Sequence, residues 1–578
     1  MKQVYKRTIV SRFEAAAILM CVLCTAAYAG VSFSNPSPLN SNAGSDSTND
    51  LTPRIATDRG DTFVVVWASQ DTLGGTVGSD YDIFVSRSTN DGAAWSNVTT
   101  LNDDATTDST SDEAPDIATD GSTWIAVWAS RRSAGSGDGT DPDIFFSRST
   151  NGGAAWSPAA AIHSNATADL ADADENPRIF TDGNGVWICA WASRAQLDAG
   201  SQFDEDIVAV RSDDDGDTWG APFYLNGNFS DASADDINPF LAVSEEGAWI
   251  AVWESNDTLE KGAGVDWDIL FARSTDGGEN WGDAQFLNSD APTDQGNSPI
   301  GSDAGARVYG MGSNTWFVTW HRYLGGGGTQ LRFARSTTNG ASWSAPKVFD
   351  NPASDSKESD DSSQELDMLT RWFKFFGKGA QAPEPLLFGV AIGDKNVANP
   401  GNSDQVTGND YDLRSYFLST EGKVWTAPEI ANPNAYTDSG DDINPVIAAD
   451  EEGHVVVVWS SYDDLDDTIG TDADILVSTA TVAGVTELVA PNGGEKWKRG
   501  KKRKIEWVTN LDADDDVRLD LYRDGNKVQT IKNATPNDGA FKWKVPNNIQ
   551  EGGKYQVEIK LKSDGNVNDR SLYDFNVK

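Results

Sequence analysis

The chain is poor in the residues that staple, coordinate and anchor. Its 578 residues include 3 cysteines and 3 histidines. Cys21 and Cys24 lie in the first 29 residues, so Cys189 is alone in the remainder and no internal disulfide forms there. Cys189 stands in WICAW, where sister segments at 124–128 and 249–253 read WIAVW, so its slot belongs to a small buried residue rather than a reactive thiol. His163, His321 and His454 occupy unrelated places in their segments, which argues against a histidine-based triad or a zinc centre. Long apolar runs are also missing. The run AAAILMCVLCTAA (15–27) follows Lys2, Lys6, Arg7 and Arg12 and overlaps a small-residue AYA at 27–29. Residues 1–29 therefore read as a secretory signal peptide, too short to span a membrane. VLC before Thr25 lacks the small residue that a lipoprotein signal needs, so no lipid anchor is expected. The mature chain is expected to be soluble, monomeric and exported, free in the medium or associated with the envelope.

Positive charge is scarce: 45 Lys+Arg stand against 89 Asp+Glu, for a net charge of −44. The deficit is uneven. Residues 485–578 carry 18 basic and 15 acidic residues, whereas residues 30–484 hold a net −50. A body of that sign repels nucleic acid and anionic membranes and attracts cations.

What is present is a repeat. SRSTNDGAAWS (86–96) returns as SRSTNGGAAWS (147–157). Trp67, Trp128, Trp191, Trp253, Trp320 and Trp459 each close an apolar run, at spacings of 61, 63, 62, 67 and 139. The doubled last gap predicts a degenerate unit inside it, and PLLFGVAIGD (385–394) fits that place, making seven units. Each unit holds four short strand-like runs separated by turn residues; in the first these are RIATD, TFVVVWAS, DIFVSRS and the run from Trp95 through VTTLN. Four antiparallel strands per unit, repeated around a ring, predict an all-β, seven-bladed β-propeller, with six blades as the alternative. The last unit lacks a fourth strand, and residues 31–53 match 95–115, so the first strand of the mature chain is expected to complete the last blade.

The repeated stretch resembles the Asp box, Ser-x-Asp-x-Gly-x-x-Trp, of sialidase-type propellers (the bacterial neuraminidase repeat). Ser212, Asp214, Gly216 and Trp219 match it fully, as do Ser274, Asp276, Gly278 and Trp281. Ser88–Trp95 and Ser149–Trp156 carry Asn at the acidic slot, Ser336–Trp343 carries Thr338, and Leu418–Trp425 keeps Gly422 and Trp425. The resemblance covers about residues 31–483, and the boxes read as structural. Residues 485–578 resemble instead an Ig-like module in the family named for yeast cell-wall synthesis proteins, through VAPNGGEKWKRGKK, ATPNDGAFKWKVP and SLYDFNV. A small β-sandwich is expected there. Its basic loop KWKRGKKRK (496–504) reads either as a contact for an anionic wall polymer or as a solvated loop. The expected organisation is thus signal peptide 1–29, propeller 30–484 and Ig-like sandwich 485–578.

Candidate chemistry gathers on the face opposite the boxes. The second-to-third loops end in Asp-x-Asp: Asp80 and Asp82, Asp141 and Asp143, Asp204 and Asp206, Asp266 and Asp268, Asp410 and Asp412, Asp472 and Asp474. Asp108, Asp112, Asp236, Asp438 and Asp442 add to them from the blade-to-blade loops. Carboxylates two apart on a strand point the same way and repel unless compensated. Two readings stand: Ca²⁺ binding, or capping of backbone N–H groups of a neighbouring strand. The sialidase resemblance implies an arginine triad, a Tyr nucleophile assisted by Glu and an Asp acid/base. Arg54, Asp116 and Arg178, which follow the prolines opening units one to three, and Arg131, Arg132, Arg194, Arg322 and Tyr323 after the second strands are the candidates. The Arg-Ile-Pro motif of the family is absent; PRIA and PRIF reverse its proline. The aromatic and basic run LTRWFKFFGKG (369–379), with Arg371, Lys374 and Lys378, breaks symmetry in unit six, as core or as a ligand surface. The expected role is a sialidase-like propeller that binds a glycan or cell-surface polymer without turning it over; the alternative is a retaining exo-sialidase-type hydrolase.

Overall fold

The computed structural model of the protein describes residues 33–578 except 108, 133–140, 164–172, 195–196, 198–203, 228–233, 245, 260–265, 292–300, 312–313, 325–328, 349–365, 370–385, 393–397, 400–401, 407–411, 420–428, 436–439, 451–452, 466–467, 482–485, 492–495, 510–515, 563–567 and 571–574. The expected signal peptide, Asp108, Arg371, Lys374, Lys378, Asp410, Gly422, Trp425 and Asp438 lie outside the described residues. Every element among the described residues is a β-strand. The chain forms two compact units, one comprising Ser32–Trp372 and Glu384–Thr481, the other containing Val482–Lys578.

The first unit holds seven four-stranded antiparallel sheets among the described residues, the arrangement of propeller blades. Numbered along the chain, sheet one consists of Asp50–Thr57, Phe63–Ser69, Asp82–Ser88 and Thr99–Thr100. Sheets two to five follow the same plan with first strands Asp112–Thr119, Asp174–Thr181, Asp236–Val243 and Asp303–Met311. Sheet six comprises Leu366–Leu369, Leu386–Ile392, Leu413–Ser419 and Glu429–Ile430. Its first strand thus precedes most of the LTRWFKFFGKG run. Sheet seven takes Asp442–Ala449, His454–Ser461 and Asp474–Thr481, with Ser37–Pro38 as its fourth strand. Ser37 pairs with Val477 and Pro38 with Leu476, so the first strand of the chain does complete the last sheet, as the match of 31–53 to 95–115 implies.

Period-2 alternation explains the packing. Along Phe63–Ser69 every residue is buried, because both faces of the sheet are covered. Phe63, Val65 and Trp67 join Val456, Val458 and Ile475 of sheet seven, while Val64, Val66 and Ala68 join Ile117, Trp124 and Trp128 of sheet two. The first strands are longer than RIATD and its counterparts. In every sheet but the sixth the first strand begins at an Asp, three residues before the proline where there is one, and a register shift follows, between Leu51 and Arg54 in sheet one and between Glu175 and Arg178 in sheet three. This bulge re-aims the residues after it.

The second unit is a sandwich. Three strands, Thr486–Ala490, Lys502–Thr509 and Ala540–Lys544, form one sheet; a larger sheet is built around Gly552–Leu561 and Asp516–Arg523. Trp497, Trp507, Trp543, Tyr555 and Phe575 fill the space between.

Candidate functional site

The structure separates the two members of the Asp-x-Asp pairs it describes. The second is buried and opens the third strand at Asp82, Asp143, Asp206, Asp268 and Asp474, and directly precedes it at Asp412. An asparagine two residues past the end of a fourth strand meets it. Asn226 Nδ2 donates to Asp206 (2.7 Å) and to Asp236 (2.6 Å), which opens the next sheet. Asn288 joins Asp268 to Asp303, Asn432 joins Asp412 to Asp442, and Asn40 joins Asp474 to Asp50 in the same way. Asn102 donates to Asp82 at 2.7 Å. The amide oxygen of each accepts the next N–H of the third strand, as Asn40 does from Ile475. In sheet two His163 takes the asparagine slot, its Nε2 2.9 Å from Asp174 and 4.0 Å from Asp143, stacked on Trp191. Four seams between consecutive sheets are thus Asp–amide–Asp bridges, and His163 stands in for the amide at a fifth. Burial, followed by neighbouring carboxylates, pushes Asp206 up to about 8 against the asparagine hydrogen bond, and burial holds Asp474 at about 7. The first members of the pairs, Asp80, Asp141, Asp204, Asp266 and Asp472, stay in the loops that precede the strands.

Arg54, Asp116 and Arg178 occupy one register position, four residues into the first strands of sheets one to three. Arg54 Nε lies 3.8 Å from Asp116 Oδ1, and Asp116 Oδ2 accepts the N–H of Ile179 at 2.9 Å. Phe240 and Arg307 continue the position in sheets four and five, with the guanidinium 5.0 Å from the ring centre. Arg307 is visible in the sequence only once the first strands are aligned on their opening Asp rather than on proline, which sheet five lacks. Among the second-strand candidates, Arg322 bonds bidentately to Asp303 and reaches Asp290 at 2.9 Å, inside a seam. Arg132 pairs with Asp103 and Asp104, Arg194 with Glu205, and Arg131 is exposed.

Tyr323 belongs to a cluster that sequence reasoning missed. The residue after the marker tryptophan is Ala68, Ala129 and Ala192 in sheets one to three, but Glu254 in sheet four and His321 in sheet five. Glu254 is buried and accepts from Gly305 N–H (2.9 Å) and Asn238 Nδ2 (3.2 Å). Burial raises its pKa, opposed by these bonds and by Arg307. His321 lies against Gly305, where a Cβ would stand 2.5 Å from its Cε1. Burial, then the charge of Arg307, lowers His321 to about 4, so the ring is neutral at pH 7. It packs edge-on to Tyr323, 5.3 Å between centres. Burial and the Glu254 carboxylate raise the Tyr323 phenol. Phe180, Phe240 and Tyr309 adjoin, with ring centres 5.0 Å and 6.4 Å apart in turn. The signal for this cluster was the run WAS, WAS, WAS, WES, WHR.

Residues 490–572 match the family model described as the Kre9/KNH-like N-terminal Ig-like domain. Comparison with curated proteins gives no match. Among solved structures, the chain is similar to a Hadza microbial sialidase at 15% identity and a TM-score of 0.37, over 59% of this chain and 63% of that one. It is also similar to the Penicillium chrysogenum alpha-L-arabinanase (14%, TM-score 0.40, 68% of this chain and 99% of that one) and to the NanB sialidase of Streptococcus pneumoniae (10%, 0.37, 78% and 70%). The chain thus spans less than two thirds of the microbial sialidase, and its C-terminal unit carries a Kre9/KNH-like Ig-like domain.

Proposed function

We propose that the protein is an exported glycan- or envelope-polymer-binding propeller that does not turn its ligand over. One observation carries the reading: Glu254 and His321 replace, on the second strands of sheets four and five, the alanines of sheets one to three, and they gather with Asn238, Tyr323, Arg307 and Phe240 into one polar and aromatic cluster. Fixed acceptors and donors beside half-buried aromatic rings are what a hydroxyl-bearing sugar requires. The C-terminal domain, of a family named for cell-wall synthesis proteins, agrees with a wall or envelope polymer as target. Burial and the Glu254 carboxylate raise the Tyr323 phenol, so it rests protonated and would act as a nucleophile only with Glu254 as its base. Arg322, held by Asp303 and Asp290, is committed to the seam rather than to a substrate carboxylate. A second reading, glycoside hydrolysis, draws on Glu254: a buried carboxyl of raised pKa is suited to donate a proton to a leaving group.

The test is a glycan array probed with the mature protein, beside fluorogenic sialosides and arabinosides. Binding that falls at least about 10-fold in Glu254→Gln, without turnover by wild type, supports the binding protein. Turnover by wild type that Glu254→Gln and Tyr323→Phe abolish would establish the hydrolase.

A further inference from the structure

We propose that the seam where the chain's first strand closes on its last sheet is a Ca²⁺ site formed by Asn42, Asp46, Thr48, Asp50, Asp472 and Asp474. One ligand oxygen from each of Asp46, Asp50 and Asp474 lies within 4.8 Å of the others. That is the widest separation two ligands can have across an ion with oxygens at about 2.4 Å. Asp474 is 0% exposed, and its Oδ2 has no hydrogen-bond partner. Asn42 Oδ1, Asp46 Oδ1, Thr48 Oγ1 and Asp472 Oδ2 are likewise buried atoms without one. A buried carboxylate oxygen left so is costly, and several converging ones are costlier. The asparagines do not resolve this: Asn40 Nδ2 is used on Asp50 and Asp474, and Asn42 Nδ2 on Asp46 and Asp71. The all-oxygen set, rich in carboxylates, is that of a hard cation with flexible coordination, Ca²⁺ rather than Zn²⁺. Asp46, Thr48 and Asp472 are half-buried, which leaves the ion a way in.

The molecule contains its own control. At the seam of sheets four and five, Asp303 corresponds to Asp50, Asp290 to Asn42 and Arg322 to Ser69, which pair across the strands in the same register. There the Arg322 guanidinium joins Asp303 to Asp290, and Arg332 adds a second contact to Asp290 at 2.8 Å. A built-in cation thus fills one seam. At the closing seam the strand offers Ser69 and then Asp71, and no basic side chain among the described residues pairs with the cluster. The ion would tie the first strand of the chain to the last sheet, making closure depend on extracellular calcium.

The mature protein, stripped with EDTA and desalted, is titrated with CaCl₂ by calorimetry and followed by thermal melting, with MgCl₂ and ionic-strength-matched NaCl as controls. Ca²⁺ is expected to raise Tm by several degrees by binding the native state alone, and the Asp46→Asn, Asp472→Asn double variant to bind one equivalent fewer. Ser69→Arg is expected to raise the calcium-free Tm and to lose the same equivalent. Unchanged stoichiometry in the folded double variant, or equal Tm shifts from NaCl and CaCl₂, overturns the site. Should Ser69→Arg not fold, the double variant still decides.

Discussion

At the residue scale, the bulge that opens the first strand of every sheet but the sixth needs a left-handed backbone. The slot holds Thr52, Ala114, Asn176, Asn238, Gly305 and Asn444, all with φ between 52° and 68°. Asn tolerates this region and Gly is free in it, whereas Ala114 pays about 1 kcal/mol. Ala114→Asn is therefore expected to raise Tm by a few degrees in a thermal melt. The reverse logic holds in sheet five: Gly305→Asn retains an acceptable φ but drives its Cβ into His321, and should lower Tm and distort the Glu254 site. Buried carboxylates set the pH response. Asp206 binds its proton up to about 8 in the folded protein, against 3.8 for the ordinary carboxyl. The folded state holds the extra proton across that window, so this group's contribution is fully present below pH 3.8 and is lost as pH rises through 8. Tm should fall between about pH 4 and 8. Asp206→Asn, which can still accept from Asn226, should flatten that fall and match wild type only below about pH 4; an identical slope in both proteins would remove Asp206 as its source.

At the element scale, the Asp box is a joint between sheets as well as a turn within one. Ser212 Oγ donates to Asp214 and accepts from Gly216 N–H at 3.0 Å, and Asp214 accepts from Thr218 N–H at 2.9 Å. A Cβ on Gly216, whose φ is 72°, would land on Ile125 Cδ1 of the preceding sheet. Arg148, also in that sheet, donates from Nε to the carbonyl of Asp215 at 2.9 Å, and Arg211 repeats this to Gly277. Gly216→Ala should cost about 2–4 kcal/mol, from left-handed strain plus overpacking, and Arg148→Ala about 1–2 kcal/mol, both read in urea. If Arg148→Ala leaves the midpoint unmoved, the joint carries no weight. The sheets, the boxes and the closing strand were legible because tryptophan, Asp-box and Asp-x-Asp positions recur at a period the eye can align. The arginine joint was not, since SRST reads as part of the box until the next sheet is placed beside it. The Glu254 cluster is likewise assembled from two second strands and three first strands, and a bulge moves its members off the proline by which the first strands were aligned. Arg322 follows a marker tryptophan as a substrate arginine would; only the placement of Asp290 and Asp303 reveals a seam.

At the scale of the whole molecule, the two units differ in charge and in how they hold together. The first stacks sheet on sheet, each core shared with a neighbour, as Phe63 and Val64 show by facing opposite sheets. Losing one sheet therefore exposes two others. The second has a core of its own. Its buried cluster runs from Leu488 to Val577 and, among the described residues, draws on none before Leu488. Its edges are tied within the unit: Lys496–Trp497 pairs in parallel with the C-terminal strand Phe575–Val577, and Lys578 N–H donates to the carbonyl of Trp497 at 2.8 Å. Asp520 and Glu558, both buried, are met inside the sandwich by Arg518 and Lys527 and by Lys560 and Arg570. A domain of this size with its own core, its own ion pairs and both ends paired should fold alone. Residues 485–578 expressed separately are expected to unfold in urea as one cooperative transition, coincident by tryptophan fluorescence and far-UV circular dichroism. Residues 30–484 should retain their melting temperature without them, to within about 2 °C, a shift of under about 1 kcal/mol. A fragment lacking a transition, or a propeller that melts well below the full chain, would show that each unit needs the other and that the boundary near 485 is not a domain boundary.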